Sequence, residues 1–456
     1  MIDSIWIHGT VVTMNENRDI LHDAGVAIHQ GRILEVGPSE ALMKAYPQVN
    51  NIVDARDKVI FPGLINTHAH SFQTLLKGLG ADTSLDAWLA HVITPSVTRL
   101  DAEDLYAGAM LSALDAVSTG TTTILDYQYA QKKEGLNEAA IQGYRDVGMR
   151  LVLGRGFADT GVLFGANPEE LEPLEKIQHD VQRLVVDYHG KQDGLVRVAL
   201  APSALWMCSP DCLRWVSQYA REKHLLVTAH TAETSYDDAC SRKLHGTDDF
   251  GTLSQYNLLG EHMLMVHAVQ LSEEQVKMAA DTSTRFSYNP VSNMYLASGA
   301  APIPWMKHYG VVGSLGTDGA ASNNGNDMLE VLKSAILLAK VAHLDPKAMT
   351  ALDALSYATC DGAKALGMDD EIGSIEVGKR ADMFLFHPGK TAKASACHDP
   401  VMGLAYASDA RNIEMVMVQG EVILKDYQAC RVNEGRMISM ATQRAKTLAK
   451  KIGEHV

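Results

Sequence analysis

Phe61-Pro62-Gly63-Leu64-Ile65-Asn66-Thr67-His68-Ala69-His70 is the stretch that decides how this chain is read. An apolar run leading into two histidines two positions apart suits a β-strand offering two ligands. Alternate strand residues point to the same side, so both imidazoles can meet one ion. With 18 histidines in the chain such a pair also arises by chance. Its weight comes from residues further along the chain: His230 with Glu233, then His267, then Asp318, each just after a short apolar run.

Those runs recur along the chain as Val59 to Asn66, Thr121 to Leu125, Met149 to Leu153, Leu195 to Leu200, Leu225 to Ala229, Met263 to Val266, Thr284 to Ser287 and Val311 to Leu315. Between them lie stretches with helical periodicity: Ala102 to Val117, Asn137 to Val147, Pro168 to Tyr188, Pro210 to Lys223, Glu273 to Ala280 and Met328 to Val341. Strand and helix alternating in this way predict an α/β protein built on a (β/α)₈ TIM barrel over residues 59–371. Reactive groups of such barrels stand at the carboxyl ends of strands. His68 and His70 end the first run, His230 the fifth, His267 the sixth and Asp318 the eighth.

Outside the barrel the texture changes to short strands and tight turns. Ile5 to Met14, Gly25 to Val36 with its Gln30-Gly31 turn, and Ile52 to Ala55 lie before it; Ala381 to Phe386 and Ile413 to Leu424, broken at Gln419-Gly420, lie after it. Residues 1–58 and 372–430 are therefore expected to form one small discontinuous β-sandwich domain. Residues 431–456 carry a basic amphipathic helix from Arg436 to Lys451, expected to be a solvated surface element.

Composition narrows the function. With 456 residues and 46% hydrophobic content the chain can bury a large core. Its 40 basic and 55 acidic residues give a formal charge of -15, which disfavours nucleic acid and anionic membranes as partners and leaves a small molecule as the expected one. The opening Met1-Ile2-Asp3-Ser4-Ile5-Trp6 lacks signal-peptide character, so a cytoplasmic location is expected. The six cysteines are scattered and form no zinc knuckle. Metalloprotease, cytidine-deaminase and phosphate-loop signatures are all missing, which speaks against nucleotide triphosphates and hydride cofactors.

The remaining residues have a chemistry of their own. Neutral imidazoles and one carboxylate holding a divalent ion lower the pKa of its bound water to about 7, giving hydroxide at neutral pH. His68, His70, His230 and Asp318 are the candidate ligands. Glu233, three residues beyond His230, is placed to shuttle protons.

The first histidine segment, His230-Thr231-Ala232-Glu233, Gly316-Thr317-Asp318-Gly319-Ala320-Ala321-Ser322-Asn323-Asn324 and Gly373-Ser374-Ile375-Glu376-Val377-Gly378-Lys379-Arg380-Ala381-Asp382 together resemble the amidohydrolase superfamily over nearly the whole chain. Within it, the chain is similar to the group of S-adenosylhomocysteine and methylthioadenosine deaminases, 8-oxoguanine deaminases and s-triazine hydrolases. The resemblance implies a homodimer or larger homo-oligomer. It also makes His267 catalytic, either as a further ligand or as a donor beside the metal, and leaves Asp318 both ligand and catalytic group. The fourth run leads into Ala199-Leu200-Ala201-Pro202-Ser203, without the lysine or carboxylate that bridges two ions, so one ion per chain is expected. Zinc is the foremost choice, with Fe²⁺, Mn²⁺ or Co²⁺ compatible with the same ligands.

The expected reaction is hydrolytic deamination of a purine, pterin or s-triazine type of heterocycle. The alternative keeps the site and cleaves a C-Cl, urea, carbamate or thiocarbamate bond in a xenobiotic. Gln73, Trp88, Tyr127, Gln128, Trp206, Met207, Tyr288 and Met294, in loops just past strand ends, are the expected substrate contacts. Tyr288 stands where the adenosine-type deaminases usually have histidine, and His398-Asp399-Pro400 resembles the tail of the triazine and 8-oxoguanine hydrolases.

Overall fold

The computed structural model describes residues 2–83 and 85–453. Met1, and residues 454–456 at the end of the expected carboxyl-terminal segment, lie outside the described residues.

Parallel strands run in chain order as neighbours: Leu64–His70, Thr121–Gln128, Arg150–Phe157, Val196–Pro202, Val227–Thr231, Met263–His267, Arg285–Tyr288 and Gly313–Leu315. Most are buried along their full length, as expected where side chains face a packed lumen on one side and helices on the other. The eighth strand breaks at Gly316-Thr317 and resumes as Asp318–Gly319. That second piece pairs in parallel with the first strand, Asp318 beside Ala69 and Gly319 beside His70. The sheet thus closes on itself, and closure is what brings Asp318 to the two histidines.

A second, mixed sheet joins both ends of the chain. Ser4–Val12 pairs with Ile20–His29, which pairs with Arg32–Pro38; from the other end come Met383–Phe386, Ile413–Val418 and Glu421–Lys425. The two groups meet where Val59–Pro62 runs antiparallel to Met383–Phe386, Phe61 beside Phe384. The run Val59 to Asn66 is therefore two strands rather than one: Val59–Pro62 belongs to the small sheet and Leu64–His70 to the barrel. Gly63 makes the passage. A Cβ on it would stand 2.0 Å from Thr122 Oγ1, so no larger residue fits.

Two helix expectations are corrected. The stretch from Pro168 to Tyr188 is a short 3₁₀ turn at Pro168–Glu170 followed by a helix over Leu174–Tyr188, because Pro173 cannot continue a helix already begun. The carboxyl-terminal helix, Glu434–Lys451, is not merely solvated: it buries Ala441, Leu448 and Ala449, while Arg444 reaches Asp101, Asp104 at 2.6 Å and Glu103 at 2.9 Å on the helix Ala102–Ser118 and its cap. A buried bidentate pair, Arg150 to Asp382 at 2.9 and 3.1 Å, fastens the third barrel strand to the segment entering the small sheet. No helix among the described residues is long and apolar enough to cross a membrane.

Candidate active site

Four strand ends converge at one mouth of the barrel. The donor atoms of His68, His70 and His230 lie within 4.8 Å of one another, and so do those of His68, His267 and Asp318. Asp318 Oδ1 is 3.3 Å from His68 Nε2 and 3.2 Å from His70 Nε2. Donors bound tetrahedrally to one ion at about 2.05 Å stand about 3.3 Å apart, so this spacing is compatible with donors sharing a cation.

The ring orientations agree. His70 Nδ1 donates to the Tyr127 carbonyl and His230 Nδ1 to the Ser203 carbonyl, each at 2.7 Å. Carbonyls only accept, so the proton is fixed on Nδ1 and the Nε2 lone pair is left for a metal. His68 is fully buried, yet neither of its ring nitrogens has a hydrogen-bond partner among the described residues. Burial holds the His68 imidazole down at about 3, and burial with neighbouring imidazole charge holds His230 well below its ordinary value. Both rings are thus kept in the neutral form that binds metal. Burial alone would raise Asp318; the close approach of the His68 and His70 imidazoles to its Oδ1 outweighs it and holds this carboxyl well below the usual range. The donor set fits one divalent cation. The fourth strand ends in Ala201 and Pro202, with no side chain able to bridge a second ion.

Glu233 lies beside this cluster. Its Oε1 accepts the Ser298 hydroxyl at 3.0 Å and its Oε2 is 3.4 Å from His267 Nε2. Burial raises its carboxyl pKa, opposed by His267 and by the Ser298 hydrogen bond. His267 Nδ1 faces the side-chain amides of Asn293 at 3.0 Å and Asn289 at 3.4 Å. His267 and Asp318 both hold positive φ, 69° and 62°, a conformation that costs non-glycine residues about 1–2 kcal/mol each and is found where function fixes a side chain.

The eight expected substrate contacts divide. Gln73 is buried; its Nε2 donates to Tyr129 at 3.0 Å, its Oε1 has no partner among the described residues, and it lies against Gly319, next to Asp318. Trp88 is buried with an indole N–H that is likewise unpartnered among the described residues. The Tyr127 ring packs against His68, His70 and His230, and its hydroxyl is engaged by the Pro202 carbonyl, so it buttresses the imidazoles. Gln128 closes a turn on Ala130 through both ends of its amide. Trp206 donates to Asp237 at 3.1 Å and packs with Met207, Ala166 and Cys240 in a small cluster of its own. Tyr288 lies in the large core. It alternates with Ser287, whose hydroxyl is 2.8 Å from Thr67 Oγ1, and shares parity with Phe286, which packs on Tyr357 in the helix layer. Met294 is 46% exposed.

Sequence reasoning missed Ser292, whose hydroxyl donates to Asp318 Oδ2 at 2.6 Å, as well as Ser298, Asn293 and Tyr129. Asn289 and Asn293 are spaced by four on the turn and helix after the seventh strand, a repeat that could have flagged them.

Residues 59–423 match the Amidohydrolase family, and residues 24–48 an imidazolonepropionase-like composite domain of bacteria. This chain belongs to the amidohydrolase family. Among its relatives is a 5-methylthioadenosine/S-adenosylhomocysteine deaminase of Syntrophus aciditrophicus, 32% identical and covering 100% of this chain and 99% of its own length. A 5'-deoxyadenosine deaminase of Methanopyrus kandleri is 33% identical over 94% of this chain and 96% of its own. Among solved structures, an adenosine deaminase of Xanthomonas campestris with bound zinc superimposes with a TM-score of 0.88 at 27% identity, covering 98% of this chain and 99% of that one. A triazine hydrolase shares the fold at a TM-score of 0.91 and 24% identity, over 97% and 99%. As an amidohydrolase, the protein is a hydrolase of carbon–nitrogen bonds other than peptide bonds.

Proposed function

We propose that this amidohydrolase removes an exocyclic amino group from a nitrogen heterocycle, with purines and purine nucleosides the leading class and zinc the bound ion. The observation that carries the reading is the pairing of a three-histidine, one-carboxylate donor set with a buried glutamate 3.4 Å from His267. The names of the relatives support the substrate class.

His68, His70, His230 and Asp318 would hold the ion, which when bound acts as a Lewis acid and makes hydroxide available near neutral pH. The chain's own residues handle protons and position. Glu233, ionised at the start, takes a proton from the attacking water and gives it to the departing amine nitrogen. The C–O bond forms, the exocyclic C–N bond breaks, and ammonia leaves. The Ser298 hydroxyl keeps the glutamate aimed. We read His267 as a donor rather than a fifth ligand: with the amides of Asn289 and Asn293 donating to Nδ1, its proton sits on Nε2, facing Glu233. Gln73 and Trp88 supply a buried acceptor and a buried donor for a planar ring. We further propose a cytoplasmic homo-oligomer.

The test is metal-analysed protein incubated with purines, nucleosides, pterins, s-triazines and phenylureas, recording ammonia, chloride and amine separately, with Glu233→Gln alongside. Ammonia from a heterocycle, lost in the variant, is the expected result. Chloride or alkylamine as the sole product would overturn the deaminase reading.

A further inference from the structure

Glu233 owes its position to a turn that the chain does not favour by itself. Ala232, between it and Thr231, sits at φ 49°, in the left-handed region that alanine avoids. Both peptide groups of this residue are held. Its carbonyl accepts the amides of Val269 at 3.1 Å and Gln270 at 2.8 Å, from the loop after His267. Its N–H donates to Asp249 Oδ2 at 3.0 Å.

Asp249 is unusual for a residue seventeen positions from the turn. It is 1% exposed and starts the short helix Asp249–Gln255, and no cation pairs with it among the described residues. Its second oxygen accepts the Ser241 hydroxyl, and its own N–H donates to Asp238 at 3.2 Å. Burial, helped by the charge of Asp237, pushes its carboxyl up to about 7. A buried acid with aspartates for neighbours costs stability. One of its oxygens holds the backbone that aims Glu233, and the other is held by Ser241.

We propose that Asp249 is a positioning residue for catalysis, clasping the Ala232 N–H so that the Glu233 carboxylate is fixed against His267 and the water it deprotonates. This inference rests on Glu233 being the proton shuttle. Asp249 touches neither substrate nor ligands and acts only through the turn. Losing the clasp lets the turn relax toward ordinary φ and swings the carboxylate. A displacement of about 1 Å at a reacting group costs on the order of 100-fold in rate.

The experiment compares wild type, Asp249→Ala, Asp249→Asn, Glu233→Gln and the double variant Asp249→Ala/Glu233→Gln, using 5'-methylthioadenosine or whichever heterocycle of the panel releases ammonia. Metal content and melting temperature are measured on each. Asp249→Ala is expected to lower kcat by about 10- to 100-fold, with KM nearly unchanged and one metal per chain retained. Asparagine keeps an acceptor for the Ala232 N–H and can be satisfied by a rotated Ser241 hydroxyl, so Asp249→Asn should recover most of the rate. In the Glu233→Gln background Asp249→Ala should add almost nothing, because residues acting as one unit are not additive. A merely structural role would multiply the two losses.

Unchanged kcat in Asp249→Ala, additive losses in the double variant, or Asp249→Asn as slow as Asp249→Ala would each overturn the proposal. Glu233→Gln with full activity would instead remove the shuttle assignment, and is read first. If Asp249→Ala does not fold, Ser241→Ala removes the hydrogen bond that orients the Asp249 carboxylate and so loosens the Ala232 clasp; a kcat loss of several-fold is expected, and none would overturn the inference.

Discussion

Ser298→Ala isolates one hydrogen bond to Glu233, the proposed proton shuttle, while leaving every candidate ligand in place. The serine is buried, and the substitution removes only an oxygen, so repacking is slight. Its hydroxyl donates to Glu233 Oε1 at 3.0 Å and favours the ionised form. A hydrogen bond to a charged group contributes about 1.5–3 kcal/mol. Its removal therefore raises the Glu233 pKa further, above a value that burial has already lifted. Glu233 must be ionised to take a proton from water, and the active form is lost as pH falls through its pKa. The acid limb of kcat/KM, which reports the free enzyme, moves to higher pH. The assay is ammonia release across the pH range on the panel substrate, with Glu233→Gln as the inactive reference. An acid limb that does not move in Ser298→Ala, in a folded enzyme that still needs Glu233, would refute the assignment of that limb to this carboxylate.

His230→Ala removes one of three imidazoles whose donors cluster within 4.8 Å; elemental analysis should show metal falling from one per chain toward none, with activity falling in step. Asp382→Ala strands the fully buried Arg150 guanidinium. Leaving one member of a buried pair uncompensated costs about 3–5 kcal/mol, to be read as a large drop in the denaturant midpoint. Gly63→Ala forces a methyl to within 2.0 Å of Thr122 Oγ1; overpacking of this kind costs about 1–3 kcal/mol, again checked by denaturation. Arg444→Ala frees the helix Glu434–Lys451 from three carboxylates, one of them Asp104 with no exposure. Hydrogen exchange in that helix should quicken several-fold while the barrel strands stay protected.

The barrel was legible because a parallel strand buried on both faces has to be apolar through its length, and the helices between have to carry a 3.6-residue stripe. The candidate ligands were legible because a strand end in a barrel faces the site, so each chemically capable residue there stands out against its apolar run. Other elements left no such mark. Val59 to Asn66 is one unbroken apolar run by composition, yet Gly63 divides it between two sheets, a partition set by which partners lie alongside. Arg444 reads as one more surface cation until Asp101, Glu103 and Asp104 are placed opposite it. The candidate substrate residues were the least readable, since a polar or aromatic loop residue looks the same whether it lies against the candidate site, as Gln73 does beside Gly319, or closes a turn on its neighbours, as Gln128 does.

By itself the sequence determined the local quantities: strand and helix periods, the identities of His68, His70, His230, Glu233, His267 and Asp318, and their places at strand ends. Each follows from the chemistry of a few adjacent residues. Only the tertiary structure decided which nitrogen of His70 and of His230 is free, that Asp318 meets His68 and His70 through the pairing that closes the barrel, and that Ser298 and Asp249 reach Glu233 and its turn from 65 and 16 positions away. Those facts depend on distances between segments remote in the chain, and hydrogen bonds and Coulomb forces act through such distances, not through order along the backbone.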